Sequence, residues 1–148
     1  MRLWHKDLIE VLPRQQLLGQ WRELNSIFKL QNRHILINFV YDYSKEHLNT
    51  YSLLVVKEMK KRGYKINMDN FYEYFEDKFE LNEDKTIKSI KLGTYFVYNV
   101  DELYQEKMNE RYLKQCLYNL QEKYDCGGIS QEEWQKIEDK FGGYLWLI

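Results

Sequence analysis

Apolar positions recur at helical spacing along most of the chain. From Pro13 to about Leu30, residues Leu17, Leu18, Trp21, Leu24, Ile27 and Phe28 fall three and four apart, on one face of an amphipathic helix. Pro13 suits the first helical position, where its missing N–H costs nothing. Arg22 and Glu23 stand roughly 100° to either side of that stripe and so reach solvent or a groove edge. A second helix is expected from about Lys45 to Arg62, with Ser44 as N-cap, Gly63 past its end, and Leu48, Tyr51, Val55 and Met59 facing the core. The basic run that closes it, Lys57 to Arg62, suits a helix C-terminus electrostatically.

Residues 69–80 read as a short acidic-aromatic helix. The stretch 85–100 has room for one short β-hairpin turning at Gly93. Asp101 then opens a long helix to about Tyr124, with Leu103, Met108, Leu113, Leu117 and Leu120 inward. Asp125 to Gly128 breaks it. Ser130 and Glu133 have capping-box spacing for a last helix to about Phe141, which Gly142-Gly143 would end before an apolar tail, Tyr144 to Ile148. The expected fold is all-α, a single domain over residues 1–148.

Composition narrows the class. The chain has 148 residues, 24 of them aromatic, and one Pro, which excludes collagen-like and low-complexity architectures and supplies enough bulk for a core. No apolar run reaches the roughly 18–20 residues of a membrane span, and the start lacks the apolar stretch of a signal peptide, so a cytoplasmic protein is expected. Cys116 and Cys126 are isolated from each other and from His5, His34 and His47, so neither a disulfide framework nor a zinc site is expected. The net charge of −1 conceals an uneven distribution. Residues 1–65 hold 12 Lys+Arg against 6 Asp+Glu, or +6; residues 66–148 hold 10 against 17, or −7. Phosphates respond to local basic surface rather than to the average, so nucleic acid stays in view as a partner.

The stretch Leu12-Pro13-Arg14-Gln15-Gln16-Leu17-Leu18-Gly19-Gln20-Trp21-Arg22-Glu23-Leu24 resembles the pyrimidine-dimer DNA glycosylase family, which places an aromatic-Arg-Glu-Leu sequence on its first long helix at this distance from the chain start. Ile27-Phe28, Arg33-His34 and the block Glu58 to Tyr64 extend the similarity, which covers about residues 1–66, is strongest over 12–28, and looks like a bacterial branch of that family. The resemblance implies a glycosylase and AP lyase acting on damaged pyrimidines in double-stranded DNA, without metal or organic cofactor. An N-terminal amine attacks the sugar C1′, the base departs, a Schiff base forms and β-elimination nicks the strand. It places catalysis at Glu23 and at the chain start, Met1 and Arg2. It assigns DNA contact to Arg22, and the neighbouring basic residues Arg14, Lys29 and Arg33 are further candidates. In the family the nucleophile is the amine of a threonine exposed by loss of the initiator Met. Here Arg2 holds that place, and its bulk blocks ordinary Met removal, which puts the amine on Met1 and displaces it by up to about 3.8 Å. Gln16 replaces a family histidine, and Ser26 replaces an arginine. The alternatives are a nucleic-acid-binding module that kept the scaffold without the chemistry, and a protein-interaction domain. A monomer without membrane attachment is expected. Trp4 and Trp21 read as core anchors.

Overall fold

The stripe of Leu17, Trp21, Leu24, Ile27 and Phe28 is buried along helix α1, Arg14–Leu30. The computed structural model describes residues 2–76, 79–84, 87–90 and 99–145. Pro13 is the residue just before α1, extended at ψ 154°, rather than its first helical residue. Helix α2, Lys45–Lys61, and the short helix α3, Asp69–Tyr74, pack against α1. Phe28 sits at the centre of this packing, with ring centroids of Trp21, Phe71 and Phe75 at 6.1, 5.6 and 5.6 Å in edge-on arrangements that aromatic quadrupoles favour. Helices α4, Glu110–Asp125, and α5, Gln131–Leu145, pair with each other, and α5 also packs on a 3-10 segment, Lys6–Val11, near the chain start. The buried side chains form one hydrophobic cluster. The fold is all-α apart from one small hairpin.

Local signals set the helix ends. Gly63 takes φ +81°; its N–H bonds the Lys60 carbonyl and that of Tyr64 bonds the Met59 carbonyl, the paired bonds of a Schellman end. Gly127, at φ +84°, ends α4 in the same way, with the Gly128 N–H on the Lys123 carbonyl. The Ser130 hydroxyl accepts the Glu133 N–H at 3.1 Å and Glu133 Oε1 accepts the Ser130 N–H, closing the expected capping box of α5.

Four further expectations change. The hairpin pairs Phe79–Leu81 (β1) with Ile87–Ile90 (β2), antiparallel and bulged at Glu80/Leu81, so it begins before residue 85; the expected turn at Gly93 lies outside the described residues. α3 stops at Tyr74. The helix expected from Asp101 starts at Glu110, because Asn109 caps it through its side chain on the Tyr112 N–H, while Tyr104 takes a left-handed conformation at φ +51° that no helix continues. Leu103 and Met108 are buried all the same, in turns. Finally, α5 runs through Gly142-Gly143 to Leu145, since glycine inside a helix costs only about 1 kcal/mol and need not end it.

Candidate active site

Residues 2–4 run extended beside α1, and one side chain holds them there. Gln20, buried within the α1 stripe, accepts the Trp4 N–H at 2.7 Å through Oε1 and donates from Nε2 to the Arg2 carbonyl at 3.1 Å. Tyr51 of α2 backs this clamp, donating its hydroxyl to Gln20 Oε1 and to the Trp4 carbonyl. From the other side, the Tyr112 hydroxyl of α4 donates to the Leu3 carbonyl. The Arg2 guanidinium donates to Cys116 Sγ at 3.7 Å and lies 5.6 Å from the Trp4 ring centroid. Burial pushes the Tyr51, Tyr112 and Cys116 groups up from their ordinary values, so all three stay neutral and serve as fixed dipoles.

Beside this segment opens a cleft of about 360 Å3, within the roughly 300–1,000 Å3 of small-molecule sites. Helix α1 supplies Gln15, Gln16, Gly19, Gln20 and Glu23; the chain start supplies Arg2 and Trp4; Leu36 comes from the turn after α1; Asn119 and Lys123 come from α4. The spacing 16, 19, 20, 23 is one polar ridge of a helix. Two of its oxygens, Gln16 Oε1 and Glu23 Oε1, are shielded from solvent and have no hydrogen-bond partner in the protein. Buried polar atoms are normally satisfied, so each exception calls for an explanation; the Asn49 amide and the Tyr104 hydroxyl share this state away from the cleft. Lys123 stands in the last turn of α4, whose Schellman end fixes its backbone.

The sequence model of the pyrimidine dimer DNA glycosylase family matches residues 1–71. The N-terminal half of the chain is pyrimidine dimer DNA glycosylase-like. No curated protein and no solved structure matches the chain. The match supports a DNA-repair glycosylase role with DNA as substrate, and it covers α1 and the clamped chain start, the elements that build one wall of the cleft.

The cleft gathers some of the glycosylase candidates and leaves others out. Glu23 is half-buried inside it and Arg2 lines it, whereas Met1 lies outside the described residues. Arg22 is exposed at its edge, with Nη2 3.6 Å from where a Cβ on Gly19 would stand. Arg33 is exposed on the turn that also carries Leu36, its guanidinium 4.4 Å from the Tyr41 ring centroid. The Tyr41 phenol is pushed up by burial first, then by Tyr74, with Glu23 adding to the rise and Arg33 opposing it, so this ring stands within the field of both groups. Arg14 does not join them. It is nine residues from Glu23, about 180° round the helix; its backbone N–H donates to Glu133 Oε2 at 2.7 Å and its guanidinium lies 5.7 Å from the Tyr64 centroid. Lys29, about 120° round from Glu23, lines a separate depression with Lys45, Asn70 and Tyr74.

The sequence marks none of Gln20, Asn119 and Lys123 for the site, and it marks Tyr51 only as a core residue of α2. Gln20 had a signal, a polar residue inside an apolar stripe. The other three reach the site only through tertiary packing. The basic run at the end of α2 is structural in part: Arg62 bonds Glu58 Oε2 at 3.1 Å and the Leu12 and Glu10 carbonyls. Among the described residues no group of three or more His, Cys, Asp or Glu side chains is placed to hold a metal, and no helix is long and apolar enough to cross a membrane.

Proposed function

We propose that the protein is a DNA glycosylase and AP lyase that uses the amine of its chain start as nucleophile and Glu23 as the catalytic carboxylate. The observation that carries this reading is the joint lining of one cleft by Arg2 and Glu23, with the Arg2 carbonyl clamped by Gln20 one helical turn before Glu23. One residue of chain, about 3.8 Å, separates Arg2 from the amine of Met1. An α-amine ionises near 7.7–8.0, roughly 2.5 units below a lysine, so a useful fraction is neutral and nucleophilic at pH 7.

The amine nitrogen bonds to C1′ as the damaged base leaves with the glycosidic electron pair, and the nitrogen loses its proton. Ring opening gives the Schiff base. Removal of a C2′ proton then drives elimination of the 3′ phosphate, and water releases the sugar. Glu23, whose Oε1 has no protein donor to satisfy it, is the group available to hold the amine, to face the positive charge developing at C1′ and to shuttle these protons. Arg22 and Arg33 at the rim, with Lys123 inside, supply phosphate contacts. Everting a damaged, poorly stacked nucleotide costs less than everting an intact one, which favours lesions.

The test is borohydride trapping on duplex DNA with an abasic site or a pyrimidine dimer. A covalent adduct mapped to the N-terminal residue, and its loss in Glu23→Gln, are expected. DNA binding without an adduct, in native and variant protein alike, would reduce the protein to a binding module. Absence of DNA binding even at low salt would leave an interaction domain. Intact mass settles beforehand whether Met1 is retained with its amine unmodified.

A further inference from the structure

The turn that follows α1 ends in an apolar tip. Ile35 is 85% exposed, the most exposed of the large apolar side chains described, and Leu36 beside it is 38% exposed and forms part of the cleft wall that holds Glu23. Solitary exposed apolar residues are ordinary. This pair is distinguished by its setting. The turn is tied down by four hydrogen bonds: the His34 N–H to Asn38 Oδ1, the Leu36 N–H to His34 Nδ1, and the Ile37 and Asn38 N–H groups to the His34 carbonyl. Ile37 is fully buried beneath it. The tip is therefore presented on a braced support, and the exposed Arg33 flanks it with a positive charge.

A nucleotide drawn out of a duplex leaves a gap in the base stack, and proteins that unstack DNA insert aliphatic side chains such as Ile, Leu or Met at the opened step. A braced β-branched side chain suits that task, because it has little rotamer freedom to lose on insertion. We propose that Ile35, supported by Leu36, is a wedge that enters duplex DNA at the damaged step and fills the space left by the nucleotide moving toward Glu23. This rests on the reading of the cleft as a glycosylase site. The occupant of the tip is the base stack of a lesion-bearing duplex: Leu36 makes the tip continuous with the cleft, and Arg33 matches the phosphates beside it.

The experiment uses the full chain and a duplex carrying a tetrahydrofuran abasic analogue, which cannot be eliminated, with 2-aminopurine as its 5′ neighbour. Native protein should raise the 2-aminopurine fluorescence on binding. Ile35→Ser removes no core packing, because the side chain is outside. It should abolish most of that rise and lower the preference for the lesion duplex over an undamaged duplex about tenfold. On cleavable abasic substrates its loss should be at least tenfold larger in duplex than in single-stranded DNA, where no stack needs opening. Ile35→Met, aliphatic and of similar volume, should restore most of the fluorescence rise. A native protein that binds the analogue duplex and cleaves the cleavable abasic duplex, with Ile35→Ser indistinguishable in fluorescence and preference, would overturn the wedge and leave the glycosylase reading standing. A native protein that binds neither duplex would overturn both.

Discussion

Gln20 Oε1 accepts the main-chain N–H of Trp4 at 2.7 Å, and through that bond a helix side chain fixes the path of residues 2–4. A free amine is catalytic only if it is held; an unrestrained chain end spreads over many positions, and orientation of the reacting groups is worth several kcal/mol of a barrier. Gln20 bonds both Arg2 and Trp4, as a neighbouring strand would. Gln20→Ala should therefore destabilise the fold by about 2–4 kcal/mol, because it strands the buried Trp4 N–H and takes the donor from the Arg2 carbonyl, while the Tyr51 hydroxyl keeps the Trp4 carbonyl. It should also lower borohydride adduct per folded molecule at least tenfold. Denaturant melts give the first quantity and trapping below the transition gives the second. An adduct yield that follows the folded fraction alone would detach the clamp from the chemistry.

Glu23→Gln should separate function from stability in the opposite direction. The carboxylate keeps one shielded oxygen without a protein partner, so the wild-type residue contributes nothing there and costs desolvation. The variant should lose lyase activity at least a hundredfold and unfold at an equal or higher denaturant concentration, a gain of up to about 1 kcal/mol. A loss of stability beyond that size would mean that Glu23 serves the fold.

Lys123 and Arg14 make a matched pair for salt titration. The first lines the cleft and the second faces Tyr64 and Glu133 on the far side of α1. Lys123→Ala should weaken binding to abasic-analogue duplex and reduce the slope of log K against log salt by about 1, the value of one phosphate contact. Arg14→Ala should leave that slope within error. The reverse pattern would move the DNA track to the other face of the helix.

Two histidines set the acid side of the stability curve. Burial lowers the pKa of His5 below its ordinary 6.5, against the opposing pull of Asp7 and of the bond to the Met108 carbonyl. Its Nδ1 accepts the Asp7 N–H, so the neutral ring is the one that fits. Burial likewise lowers the pKa of His47, whose Nδ1 accepts the Tyr104 N–H. Below pH 6.5 the unfolded chain binds more protons at these sites than the folded one, so stability rises with pH there. It is fully present above 6.5 and is lost as the pH falls below it. Urea midpoints should drop between pH 7 and pH 5.5, and the drop should shrink in His5→Gln with His47→Gln.

What the sequence displays is what neighbours in the chain decide. The α1 stripe, the Schellman end at Gly63 and the Ser130–Glu133 box involve residues a few positions apart, and all three stand as expected. A motif names Glu23 and Arg22 as candidates, and the fold sets Glu23 in the cleft with Arg22 beside Gly19 at its edge. The start of α4 was not legible, because Leu103 and Met108 are as apolar and buried as a helix face while their burial comes from turns, and nothing marks Tyr104 for a left-handed conformation that glycine ordinarily takes. The far wall of the cleft was hidden for another reason. Asn119 and Lys123 lie in the acidic half, and only the packing of α4 on the chain start brings them within reach of α1. Net charge by halves pointed to basic residues broadly; the fold spends Arg62 on Glu58 and two carbonyls, and turns Arg14 away.

Helix α4 and the turn before it also reach back across the boundary of the family similarity at residue 71. The Met108 carbonyl holds the His5 ring, the Tyr112 hydroxyl holds Leu3, and Cys116 receives Arg2. A shortened protein ending at residue 71 would keep every matched position and lose the floor under its own first residues. Transplanting the shared motif onto another scaffold would fail for the same reason, unless a surrogate for α4 travelled with it.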